Sequence, residues 1–168
     1  MQKEITVVGG PCAAESYHQV MYAAQRNSIF RNICHKYGIN LETRGGAFKP
    51  RTKLRNNGQQ IFEGEGPEGL AWLGEAARTY QMPIVTELMD ASDLWDFFKN
   101  LDPYRDTIQV GARNNQNFSL LAYIGLSPFN VLVKSPQNVI DTADAQGSLE
   151  RITHPTETKY IIEKYKRL

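Results

Sequence analysis

Cysteine is scarce in this chain: Cys12 and Cys34 are the two present, too far apart for a metal knuckle. Two thiols without a secretion signal fit a reducing compartment better than a disulfide framework. The opening MQKEITVVGG is a charged start and a short apolar run rather than a signal peptide, so a cytoplasmic protein is expected. No apolar segment approaches the roughly 20 residues that cross a bilayer, which removes a membrane from the expected partners. Neither sign of charge prevails, since 19 Lys and Arg stand against 18 Asp and Glu for a net charge of +1. That balance provides no global attraction to nucleic acid, and any anion binding must come from local clusters. The spacings HxxxH, HExxH and CxxC are absent, so the chain has no self-sufficient metal motif. The P-loop and GxSxG are absent as well.

What is present is a regular alternation. The 168 residues, 41% hydrophobic and 22% charged, suit one globular domain. Short apolar runs alternate with longer amphipathic stretches, the pattern of βα units around a parallel sheet. Strands are expected at Ile5–Val8, Ile39–Thr43, Pro83–Thr86, Thr107–Val110 and Val131–Val133. A long helix is expected from about Ser16 to Tyr37, with Val20, Ala23, Ala24, Ile29, Ile33 and Tyr37 as apolar markers. Gly66-Pro67-Glu68-Gly69 starts the next helix, with Leu70, Leu73, Ala77 and Tyr80 inward. Ser92 reads as the N-cap of a helix over Asp93–Phe98, and another helix covers Phe118–Ile124. Val139–Ile152 and the tail Thr156–Leu168 read as helical, and Trp72, Trp95 and the Phe97-Phe98 pair read as core. The fold expected is therefore α/β, with about five βα units and a C-terminal helix. A closed (β/α)8 barrel typically takes about 250 residues, so a partial or truncated barrel is expected.

In parallel α/β folds, ligands bind at the C-terminal ends of strands. Here those ends read GGPCAAES, TRGGAFKPRT, TELMD, GARNNQN and VKSP, and all would line one rim. The second is the strongest signal: Arg44, Lys49, Arg51, Lys53 and Arg55 put five cations within twelve residues, beside Gly45, Gly46 and the hydroxyl of Thr52. Arginine offers planar bidentate donors to phosphate, lysine a mobile point charge, and glycine a close approach of backbone N–H groups. A solvated basic loop is the alternative. Arg113 and Lys134 end two further strands, so positive charge converges from three places, as suits a ligand with more than one anionic group. Cys12 reads either as a small buried residue or as a metal ligand or nucleophile. Glu87 reads either as a structural ion-pair partner or as an orienter of the binding cations. His18, His35 and His154 read as surface or helix-packing residues.

Taken in order, GPCAAES, RGGAFKPRT, FEGEGPEGLAWL, PIVTELMD and IQVGARNNQNF resemble the type I 3-deoxy-7-phosphoheptulonate (DAHP) synthases, most closely the branch fused with chorismate mutase. The resemblance covers about residues 5–134 and reaches toward Ile152. It implies a single domain over 1–168, with barrel units to 152 and a divergent helical tail over 153–168. It also implies condensation of phosphoenolpyruvate with erythrose 4-phosphate, the first step toward the aromatic amino acids, with a divalent metal such as Mn²⁺. Carried onto this sequence, Cys12 would bind the metal. Arg44, Glu87, Gly111, Ala112, Arg113 and Lys134 would surround phosphoenolpyruvate, with Lys134 and Glu87 the catalytic pair. Lys49, Pro50, Arg51 and Thr52 would hold erythrose 4-phosphate. The remaining metal ligands of that family, a histidine, a glutamate and an aspartate on the last barrel strands, have no counterpart here. Association, either as a homo-oligomer or with a complementary barrel half, is therefore expected, and a non-catalytic binder of these ligands is the alternative. A related synthase of other 3-deoxy keto acids is disfavoured by KPRT, which suits a phosphorylated aldose.

Overall fold

Five parallel strands lie side by side in the order in which the chain makes them: β1 (Ile5–Gly9), β2 (Ile39–Arg44), β3 (Ile84–Glu87), β4 (Thr107–Val110) and β5 (Asn130–Val133). The computed structural model describes residues 5–49, 62–134 and Glu163. Pro50, Arg51, Thr52, Lys53, Arg55, His154, the expected helix over 139–152 and most of the tail fall outside these; Glu163 is helical. Between the strands run α1 (Tyr17–Lys36), α2 (Pro67–Tyr80), α3 (Leu94–Asn100) and α4 (Phe118–Leu126). A strand order without reversal has no switch point, so successive right-handed crossovers put every helix on the same side. The sheet curls into a half-barrel with the helices outside.

Alternation along the strands sorts the residues. Thr43 pairs with Ile84, Thr86 with Ile108, and Val110 with Val133. This face meets the helices, where Ile84, Ile108 and Val110 join Leu70, Leu73, Phe97, Leu120 and Phe129 in the core. Burying side chains of this size stabilises the fold by about 1.5–3 kcal/mol each. The opposite face carries Arg44, Val85, Glu87, Thr107 and Gln109, related by the pairs Arg44–Val85, Val85–Thr107 and Glu87–Gln109. One face is thus oily and the other largely polar, and the polar one becomes the inside of the curl.

Two side chains pin the frame. Asn27 on α1 donates through Nδ2 to the Gly9 carbonyl and to Thr43 Oγ1, each at 3.0 Å, tying the helix to β1 and β2. Asp106, fully buried, accepts from Ile84 N at 3.0 Å and Asp102 N at 2.9 Å, and pairs with Arg105 Nε at 3.2 Å. It seals the entry to β4 against that of β3.

Local expectations need four corrections. Ser92 does not cap α3: Asp90 accepts from Ser92 N and Ser92 Oγ, and residues 91–93 form a 3-10 turn before the helix. Asp90 is the better cap because its carboxylate takes both donors. Trp95 is 76% exposed and Phe98 is partly exposed, whereas Phe97 is core. α3 is a seven-residue helix and buries only the stripe that faces α2 and Phe129. On α1, Val20 and Ala24 are buried, but Ile29, Ile33 and Tyr37 lie on the opposite side and are exposed. Cys12 is exposed, which removes the reading of a small buried residue.

Candidate functional site

The site is assembled at the C-terminal ends of the strands in two clusters. The first joins the ends of β1 and β2. Ala14 N donates to the Gly46 carbonyl at 2.9 Å, Gly45 N reaches the Val85 carbonyl at 3.4 Å, and Gly66 N donates to the Ala47 carbonyl at 2.9 Å. The backbone at 45–47 is therefore fixed from three directions. A β-carbon on Gly46 would collide with Cε and Nζ of Lys49 and lie 2.8 Å from the Cys12 carbonyl oxygen. Absence of a side chain at Gly46 is what brings Lys49 against the Cys12 turn. Gly10 does the same lower down, since its φ of +144° brings it hard against the Arg44 carbonyl.

The second cluster joins β3, β4 and β5. Glu87 is 8% exposed, and its Oε2 accepts from Gln109 Nε2 at 3.0 Å. Its other oxygen fills the space where Gly111 would carry a β-carbon. After Gly111 the chain makes a 3-10 turn over Ala112–Asn114, closed by Asn114 N to the Gly111 carbonyl at 2.9 Å. Lys134 N donates to the Val110 carbonyl at 3.0 Å, which extends the β4–β5 pairing by one residue and sets Lys134 on the rim. Arg113 and Lys134 are both exposed, and Arg44 and Lys49 are half-buried.

Three asparagines of the GARNNQN segment, none singled out as a candidate above, hold this rim together. Asn114 Nδ2 donates to the Met89 carbonyl at 3.3 Å, tying the turn to the end of β3. Asn115 Nδ2 donates to the Lys134 carbonyl at 2.9 Å, tying it to the end of β5. Asn117 accepts from Leu120 N at 3.1 Å and caps α4. Asn117 could have been found from its place just before an apolar helical run. Asn114 and Asn115 carry no such local signal, because their partners are distant in sequence. Nearby, Asp90 sits below the ordinary carboxylate range because Ser92 N–H and then the Ser92 hydroxyl donate to it.

The structure thus unites Cys12 with Lys49 on one side, and Glu87 with Gly111 through Lys134 on the other. Among the described residues no three His, Cys, Asp or Glu side chains converge as a metal ion needs. Cys12 alone does not fit a hard divalent ion, which prefers several oxygen ligands. The described residues therefore do not form the metal centre that the motifs imply.

Comparison with known proteins agrees with this geometry. The DAHP synthetase I family matches residues 1–163, reaching into the tail that carries none of the motifs. A phospho-2-dehydro-3-deoxyheptonate aldolase of Thermotoga maritima is 36% identical over 158 residues, covering 94% of this chain and 41% of that protein. The solved structure of the Thermotoga maritima phospho-2-dehydro-3-deoxyheptonate aldolase (DAHP synthase) superposes with a TM-score of 0.65 at 31% identity, covering 96% of this chain and 38% of that one. A truncated form of the 3-deoxy-D-arabino-heptulosonate 7-phosphate synthase from the same organism gives a TM-score of 0.59 at 30% identity, over 96% of this chain and 49% of that one. The chain spans about two fifths of the length of the curated relative it matches. By a match over nearly its whole length, and by strand-end motifs on one rim of a parallel half-barrel, the chain belongs to the DAHP synthetase I family.

Proposed function

We propose that this rim binds phosphoenolpyruvate and erythrose 4-phosphate for a DAHP synthase condensation, in the cytoplasm, on the way to the aromatic amino acids. The observation that carries the reading is the meeting of Glu87, the Gly111–Arg113 turn and Lys134 at the ends of three adjacent strands, beside the Lys49–Cys12 cluster. Arg44, Arg113 and Lys134 hold the phosphate and carboxylate of phosphoenolpyruvate, with Gly111 and Ala112 shaping the turn beneath. Lys49, together with Pro50, Arg51 and Thr52 beyond the described residues, holds the aldose phosphate. Glu87 orients the cations, and Lys134, at the end of β5 on the same rim, serves the chemistry.

The reaction joins the methylene carbon of the enol to the aldehyde carbon, while water adds at the phosphate-bearing carbon and inorganic phosphate leaves. Holding two anions together against their repulsion is the contribution of this rim, through orientation and preorganised charge. No step is assigned to a metal, since the described residues do not provide its site. Metal use, with Cys12 as one ligand and Mn²⁺ or a similar ion as the metal, requires ligands from outside them. Association with a second copy or a complementary barrel half is part of the proposal. Its support is β1, an outer strand of the sheet among the described residues, whose Ile5 is 57% exposed.

A second reading, a binding or regulatory protein without catalysis, is favoured by the lack of a metal cluster among the described residues. One experiment separates the two. Phosphoenolpyruvate consumption is followed with erythrose 4-phosphate and Mn²⁺, with and without EDTA, alongside calorimetric titration of phosphoenolpyruvate. Turnover that EDTA removes supports the synthase, binding without turnover supports the second reading, and neither binding nor turnover overturns both.

A further inference from the structure

We infer that Gln109 is a positioning residue of the enolpyruvate site, acting through Glu87; this deepens the proposed function and rests on it. Gln109 lies in β4 between Ile108 and Val110, both fully buried on the helix side, and is itself only 4% exposed on the inner face. A primary amide buried there is costly unless it has a partner. Its Nε2 donates to Glu87 Oε2 at 3.0 Å across the β3–β4 pair, in which the two residues stand opposite one another. The other carboxylate oxygen of Glu87 is pressed against Gly111, so the carboxylate is clamped between the amide and the backbone of the turn that ends in Arg113.

This clamp leaves Glu87 little freedom. An ionised carboxylate offers about four acceptor positions, and the amide takes one of them. Backbone from Gly111 blocks the approach to the far oxygen. Arg44 shares the same face on the next strand, paired with Val85 two residues before Glu87. The remaining acceptor positions are thereby restricted to the rim, where the cations that hold the enolpyruvate anion gather. Without the amide, the Glu87 side chain regains rotamers and ceases to set the direction of those cations. A purely structural β3–β4 pin would need neither the charge on Glu87 nor its place on that strand.

Calorimetric titration of phosphoenolpyruvate, and separately of erythrose 4-phosphate, into the full chain tests the inference, with thermal midpoints recorded for each variant. The variants are Gln109→Met, close in length but without a donor, Glu87→Gln, their double, and the exchanged pair Glu87→Gln with Gln109→Glu. Gln109→Asn, which keeps an amide too short to reach, replaces Gln109→Met if the latter does not fold. The expected result is about tenfold weaker phosphoenolpyruvate binding for Gln109→Met, in line with loss of one hydrogen bond to a charged group. Sugar-phosphate binding should be unchanged, and the double variant should bind no worse than Glu87→Gln. The exchanged pair should recover the thermal midpoint but not the affinity. Unchanged affinity in Gln109→Met, additive losses in the double, or recovery of affinity by the exchange would each overturn the inference. A wild-type chain that binds no phosphoenolpyruvate would instead overturn the proposed function, and the inference with it.

Discussion

Lys49 lays the end of its side chain across Gly46, so that Cε and Nζ fill the position a β-carbon on that glycine would take. Gly46→Ala therefore has to displace the ammonium group, and the Cys12 carbonyl at 2.8 Å leaves the methyl group no alternative space. We expect about tenfold weaker erythrose 4-phosphate binding, with phosphoenolpyruvate affinity kept within about twofold. Overpacking of this kind should also reduce stability by about 1–3 kcal/mol. Titration of each ligand with parallel urea unfolding measures both. Lys49→Ala should reproduce the binding loss without the stability loss, and equal losses for the two ligands would contradict the division of the rim.

Arg113→Ala and Lys134→Ala should each weaken phosphoenolpyruvate binding strongly while leaving the fold intact. Both side chains are exposed on the rim, and the backbone of Lys134 rather than its side chain makes the bonds to Val110 and Asn115. Charge-assisted hydrogen bonds contribute about 1.5–3 kcal/mol each, so either change should weaken binding by roughly tenfold to more than a hundredfold. Calorimetry reads the affinity, and unaltered circular dichroism reads the fold.

Asp106→Ala should be among the most destabilising single changes at the polar positions of this chain. It removes the acceptor for Ile84 N and Asp102 N together and leaves both donors at the base of the sheet. At about 1–3 kcal/mol for each donor left without its acceptor, a loss of about 2–6 kcal/mol is expected in chemical unfolding. A loss below about 1 kcal/mol would mean that water reaches both donors.

Glu42 supplies a pH-dependent test. Burial, followed by the charge of Asp106, pushes its carboxyl above the ordinary value of 4.5. The folded state thus holds this proton more tightly than the unfolded chain does. Its contribution to stability is present below the unfolded pKa and is lost as pH rises through the folded one. Glu42→Gln should therefore raise the thermal midpoint at neutral pH and lose that advantage below about pH 4. The group is only half-buried, so screening limits the effect to about 1 kcal/mol, or about 2–4 °C. An equal gain at both pH values would point to packing instead of charge.

The five strands were legible in the sequence because each is a short apolar run closed by Gly, Pro or charge, and the structure moves their ends by only a residue or so. Rim residues were legible for the same reason: strand ends are where this architecture places polar side chains. Less legible were the residues whose partners come from other units, such as Gln109 for Glu87, Asn115 for Lys134, and Asp106 for Ile84. Nothing local distinguishes these from ordinary polar residues, since the pairing depends on strand register. Trp95 and Ile33 mislead in the opposite direction, because side-chain chemistry says that they can be buried but not which side of a helix meets the sheet.

Strands that pair only with their neighbours in sequence also set a timetable for the site. Glu87 and Gln109 are separated by 22 residues, and Asn115 and Lys134 by 19. Each of these contacts joins consecutive strands, so it needs only the next βα unit and not the whole sheet. A chain that folds as it is made would therefore assemble this rim from one edge toward the other, the Lys49 side preceding the Lys134 side.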